Sequence, residues 1–163
     1  MIETRHLHMR VAAEADFDAL WEIWSDPRVQ AGLLTRPQTM DEFAPVFALL
    51  LSTPTMWVIE DRASHLVIGR AGIFEFPEER TAEVAYLLHP DWWGRGLATE
   101  AATAALGYAF EARGWDRAIA FVLPTNIASI SVLRKLGLSY VHDAEVRGQA
   151  AELYELQRAS HRA

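Results

Sequence analysis

Between residues 81 and 123 the hydrophobic period of the chain changes twice, and this limits the folds open to it. Residues 81–88 alternate like a strand and stop at His89-Pro90-Asp91. Residues 97–113 are rich in alanine, at 98, 101, 102, 104, 105, 109 and 112, and run as a helix to Gly114. Residues 118–123 are apolar and β-rich and end at Pro124. Strand, helix and strand in that order form a crossover, which joins parallel strands with a right-handed connection. The small alanine side chains let the helix lie close on the sheet.

The rest of the chain alternates in the same way. Residues 3–11 read as a strand, with Leu7, Met9 and Val11 opposing His6, His8 and Arg10. Residues 13–25 form an amphipathic helix carrying Phe17, Leu20, Trp21 and Trp24, broken at Asp26-Pro27. Residues 33–40 form a loop, and a second helix follows over 41–51 behind Thr39. Residues 56–60 and 66–76 form a hairpin about the polar turn 61–65, and 77–80 turn into strand 81–88. Residues 126–136 form a helix closed by Gly137. Residues 138–146 and 150–157 form a last hairpin around Arg147-Gly148-Gln149.

Length and composition narrow the class. The chain has 163 residues, 51% of them hydrophobic, enough for one domain over residues 1–163 with a real core. No apolar run approaches the ~20 residues that span a bilayer, and the charged N-terminus is no signal peptide. The expectation is a soluble, cytoplasmic protein without membrane contact. Net charge is −7, and Lys135 is the one lysine, which argues against nucleic-acid binding. Six scattered histidines lack zinc-ligand spacing, so no metal is expected. There is no cysteine, so no thiol of the protein can hold a transferred group.

The segment Trp92-Trp93-Gly94-Arg95-Gly96-Leu97-Ala98-Thr99-Glu100 follows a strand and opens a helix. Free N–H groups at a helix start form an anion site, and glycines let the backbone approach a phosphate. Arg95 adds a charged donor. The spacing is neither Walker A nor the Rossmann fingerprint. Alone, the segment fits a structural turn or a site for another nucleotide equally well.

A second element, Asn126 to Gly137, makes a resemblance specific. Four segments occur in order: Thr4 to Arg10, Ala82-Glu83-Val84-Ala85-Tyr86-Leu87-Leu88-His89-Pro90, Trp93 to Ala101, and Asn126-Ile127-Ala128-Ser129 running to Lys135-Leu136-Gly137. Together they resemble the GNAT superfamily of acyl-CoA-dependent N-acetyltransferases, in particular the ribosomal-protein alanine N-acetyltransferase-like branch. The resemblance spans nearly the whole chain. It implies a mixed α/β fold with a mostly antiparallel central sheet, about four helices, and a parallel strand pair that splays apart.

The resemblance implies acetyl-CoA as cosubstrate. Its pantetheine would lie in the splay against the backbone of Leu87 and Leu88. Its pyrophosphate would sit on the loop and helix start at Gly94, Arg95, Gly96, Leu97, Ala98 and Thr99. Asn126 would contact the pantetheine, and Ser129 would lie beside it. The first two helices and the 30–38 loop, with Trp24 and Arg28, would wall the acceptor side.

Acyl transfer to an amine needs a neutral amine, a stabilised thioester oxygen and a protonated leaving thiolate. Glu83 is the candidate base, directly or through a water; its alternative is a solvated or ion-paired strand glutamate. Ser129 is the candidate acid; its alternative is a helix serine bonded to its own backbone. Many superfamily members carry a tyrosine seven residues after the asparagine, where this chain has Leu133, which has no proton to give. Tyr86 is a further polar candidate. The expected activity is direct acetyl transfer to a primary amine, either a protein N-terminal α-amine or a small amine. The alternative is a non-catalytic CoA-binding sensor or structural module. A homodimer through exposed strand edges is a family-level expectation.

Overall fold

In a computed structural model, which describes residues 1–161, eight strands form one sheet in the order β1-β2-β3-β4-β5-β6-β8-β7. The strands are β1 (Ile2–Glu3), β2 (Leu7–Val11), β3 (Met56–Asp61), β4 (Val67–Phe76), β5 (Thr81–Leu88), β6 (Arg117–Val122), β7 (Ser139–Val146) and β8 (Gln149–Gln157). The helices are α1 (Phe17–Ser25), α2 (Pro27–Gln30), α3 (Met40–Ser52), α4 (Leu97–Gly107) and α5 (Ile127–Lys135). Every strand pairing is antiparallel except β5 with β6. This is the mixed α/β architecture that the segment order implies.

Strand alternation sends side chains to two cores. Trp57, Ile59, Ile73, Ala82 and Val84 pack with α4 and α5 on one face. Met56, Val58 and Leu87 pack with α1, α2 and α3 on the other, around Leu20, Trp24, Phe43 and Phe47. On that second face Phe43 touches Phe17, Trp21, Trp24 and Phe47, with ring centroids 5.3–6.0 Å apart. Ala101, Ala102 and Ala105 of α4 are buried, which brings that helix close to the sheet.

Three boundaries differ from the sequence reading. The single strand over 3–11 is two, because Thr4 and the His6 backbone N–H turn away to donate to Glu100 on α4. The Asp26-Pro27 break restarts at once as α2, since the Asp26 carboxylate accepts from the Arg28 N–H as a helix cap. The helix over 97–113 is α-helical to Gly107 and ends in a π-turn over Tyr108–Ala112. Five helices thus stand where about four were expected.

The crossover has the feature that matters most for function. Only Thr81, Ala82 and Glu83 of β5 pair with Arg117, Ala118 and Ile119 of β6. Past Glu83 the two strands part, and each keeps only its outer neighbour, β4 or β8. A V-shaped gap therefore opens in the middle of the sheet, with Glu83 at its base.

Candidate active site

A cleft of about 660 Å³ fills the gap and runs out over the start of α4. Its walls include Tyr86, Leu87 and Leu88 from β5, Gly94, Gly96, Leu97, Ala98 and Thr99 from the loop and α4, and Asn126 and Ser129 from α5. These segments lie up to 43 residues apart in sequence, and the splay brings them together.

The start of α4 has the backbone geometry that suits an anion. Gly94 and Gly96 have φ of 73° and 76°, a region other residues enter at a cost. Among the described residues no side chain caps α4, whereas Thr39 caps α3 and Asn126 caps α5. Its first N–H groups are therefore left for a ligand, with the positive end of the helix dipole behind them. Glu100, in the first turn, is drawn off the site by Thr4 and His6. Arg95 does not line the cleft: its guanidinium lies over the Trp92 ring at 4.8 Å and donates to the Asp91 carbonyl.

Ser129 has a partner in Tyr86, the further polar candidate of the sequence. Its Oγ lies 3.0 Å from the Tyr86 hydroxyl, and Tyr86 also donates to the Ser129 carbonyl at 3.1 Å. Ser129 Oγ thus bonds across the cleft rather than to its own helix. Burial pushes the Tyr86 hydroxyl up to about 12, against the pull of Ser129, so it keeps its proton near neutrality. Asn126 is engaged at both ends: its Oδ1 accepts from the Ser129 N–H and its Nδ2 donates to the Gly32 carbonyl.

Glu83 sits apart from these groups. It shares the α1–α3 face with Ala85 and Leu87, whereas Tyr86 points to the α4–α5 face, and Glu83 does not line the cleft. Its half-buried carboxylate has no hydrogen-bond partner among the described residues. Burial raises its pKa above the ordinary carboxylate value, and the positive charge of Arg70 opposes that rise. The base of the V thus presents a carboxylate on one face and a hydroxyl pair on the other.

The 30–38 loop is fixed as a wall. Gln30 donates to the Trp24 and Pro37 carbonyls, Gln149 of β8 donates to the Leu34 carbonyl, and Asn126 holds Gly32. Arg28, Val29, Gly32 and Leu33 line the cleft, whereas Trp24, expected beside them, is buried and does not. Sequence reasoning missed Arg70, because an arginine in an alternating strand reads as a surface residue. It also missed the Trp93 indole, which donates to the Leu88 carbonyl at 2.9 Å and so occupies a backbone group expected to face pantetheine. Among the described residues no cluster of acidic and histidine side chains is arranged to hold a metal.

A family model described as an acetyltransferase (GNAT) domain matches residues 6–139. The uncharacterized protein YkkB of Bacillus subtilis (strain 168) is 31% identical over 103 residues, 62% of this chain and 60% of that protein. The uncharacterized N-acetyltransferase YnaD of the same organism is 28% identical over 148 residues, 84% of this chain and 81% of that protein. Spermidine N(1)-acetyltransferase of Escherichia coli (strain K12) is 33% identical over 88 residues, 49% of this chain and 47% of that enzyme. Two solved structures share the fold. A GNAT-family acetyltransferase from Bacillus anthracis has a TM-score of 0.84 at 20% identity, covering 97% of this chain and 98% of that one. The ribosomal-protein-S5-alanine acetyltransferase from Vibrio fischeri has a TM-score of 0.79 at 18% identity, covering 99% and 98%.

The fold, the splayed strand pair and the uncapped helix start are those of an acyltransferase with a split central sheet. The chain belongs to the GNAT acetyltransferase family, whose members take acetyl-CoA as cosubstrate and an amine as acceptor.

Proposed function

We propose that this chain transfers acetyl directly from acetyl-CoA to a primary amine, with both substrates bound at once. The observation that supports the reading is the parting of β5 and β6 just past Glu83, which opens a cleft lined by Tyr86, Ser129 and the start of α4. The pyrophosphate sits on the α4 start, held by the backbone from Gly94 to Thr99. The pantetheine runs down the gap past Leu87 and Leu88, displacing the Trp93 indole from the Leu88 carbonyl, with Asn126 and Ser129 alongside. The amine nitrogen attacks the thioester carbonyl carbon, forming the new C–N bond as the C–S bond breaks. Glu83 takes the amine proton, directly or through a water. The Tyr86–Ser129 pair gives a proton to the departing thiolate. With no cysteine in the chain, no acyl-enzyme on a protein thiol intervenes.

The acceptor is an N-terminal α-amine of a protein or a small amine. By their names, the Vibrio fischeri structural neighbour acts on an alanine of ribosomal protein S5 and the Escherichia coli relative on spermidine, a small amine. Calorimetry with acetyl-CoA, ATP and NAD tests the cosubstrate: acetyl-CoA alone should bind. A panel of peptides and small amines then tests the transfer. Binding of acetyl-CoA with no transfer to any amine would replace this reading with a CoA-binding module.

A further inference from the structure

Arg70 lies on β4, opposite Leu87 of β5, and therefore on the same sheet face as Glu83. Its guanidinium stacks on the Trp24 ring at 5.2 Å, and its Nη1 points at the Met56 sulfur at 3.3 Å, a weak acceptor. Met56 stands opposite Gly72, so the side chain leans along β4 toward the Glu83 row. Arg10, Arg28, Arg80, Arg113 and Arg117 all meet a carboxylate at ion-pair distance. Arg70 meets none among the described residues, and Glu83 is the anion whose charge it feels. Among the described residues no fully buried side-chain nitrogen or oxygen lacks a partner. The unbonded Nε and Nη2 of Arg70 and the oxygens of Glu83 therefore border open space.

A half-buried cation and a half-buried carboxylate thus lie on one face of the sheet without touching. Their backbones are about 13 Å apart along the strand, and the side chains shorten that span. An amine bound at Glu83 would be repelled by Arg70 unless it brought a negative charge of its own. The contact with Trp24 engages the guanidinium without using its N–H donors, and Nε and Nη2 remain for a planar acid.

We propose that the acceptor is a primary amine carrying a carboxylate one or two carbons away, as in a free amino acid, with the acid on Arg70 and the amine toward Glu83. This rests on the acetyltransferase reading above and narrows its acceptor.

The test measures kcat/KM for the common free amino acids against the corresponding amino acid amides, with spermidine alongside. The amides have the more easily deprotonated amine, so a preference for the acids cannot come from amine basicity. The best acid should exceed its amide by about tenfold or more, the value of one charge-assisted hydrogen bond. At mildly alkaline pH, Arg70→Gln should raise KM for the acid about tenfold and leave the amide within twofold, and Arg70→Lys should keep part of the preference. Should Arg70→Gln fail to fold, the wild-type comparison and Arg70→Lys still decide. Equal rates for acid and amide, a preference for amides or spermidine, or an equal loss for both in Arg70→Gln would overturn the proposal. The last outcome would make Arg70 a group that only keeps Glu83 charged. Transfer to no amine at all would overturn the acetyltransferase reading instead.

Discussion

Glu83 and Tyr86 are three residues apart on one strand, so alternation sends them to opposite faces. In the proposed reaction they would stand as proton acceptor and proton donor on either side of the thioester. Burial shifts both upward: the carboxyl lies above its ordinary value, and the phenol is kept protonated. Glu83→Gln should lower kcat about 100-fold and leave acetyl-CoA affinity unchanged in calorimetry, since general-base catalysis is worth that much. A base must be ionised, so the wild-type rate should fall as pH drops through the raised pKa of Glu83, above the ordinary ~4.3. The pH–rate profile of Glu83→Gln should lack that limb. Because Ser129 and Tyr86 share one hydrogen bond, Tyr86→Phe and Ser129→Ala should each slow turnover, and the double variant should cost less than the sum of the two.

At the scale of elements, the site depends on how helices are tied to strands. Arg10 of β2 donates to both oxygens of Asp16, just before α1, at 2.7 and 2.8 Å, and to Glu60 of β3 at 2.6 Å. Burial alone would raise the pKa of Asp16, but Arg10 and the Ala13 N–H more than reverse that and hold it below the ordinary carboxylate range. The pair therefore stabilises the fold above the unfolded carboxylate pKa of ~3.9, and the contribution is lost as pH falls through the lower folded value. Asp16→Asn should destabilise by about 2 kcal/mol in urea melts near neutral pH, and the gap to wild type should close in strong acid. The link between α5 and the 30–38 loop is similar in kind. Asn126→Ala should remove both the cap and the Gly32 tether, costing about 1 kcal/mol and increasing proteolytic cutting of that loop.

The whole molecule is a sheet covered on both faces and opened along one seam. No helix of the described residues is long and apolar enough to cross a membrane. A ligand filling the seam replaces the missing β5–β6 pairing and binds only the folded chain. Acetyl-CoA at about 100 times its Kd should therefore add about 2.7 kcal/mol, read as a raised Tm. If the cosubstrate displaces the Trp93 indole from Leu88, Trp93→Phe should abolish part of the fluorescence change seen on binding.

Local chemistry in the sequence determined a great deal. Alternation and the stop at His89-Pro90 set β5 at the same bounds the structure has, Thr81–Leu88. Gly96 and the alanine run placed the α4 start, Asn126 caps α5, and Gly137 closes it at φ 91°. These signals act within a few residues, so they can be read one segment at a time. The break at Thr4–His6 and the positions of Arg70, Gln149 and Gly32 could not be read that way. Each depends on a partner between 14 and 115 residues distant, whether Met56 for Arg70, Glu100 for His6 or Leu34 for Gln149. The same holds for Ser129, whose hydroxyl could have bonded its own helix. It bonds Tyr86, 43 residues away, because β5 and β6 part beyond Glu83 and leave Tyr86 facing α5 across the gap.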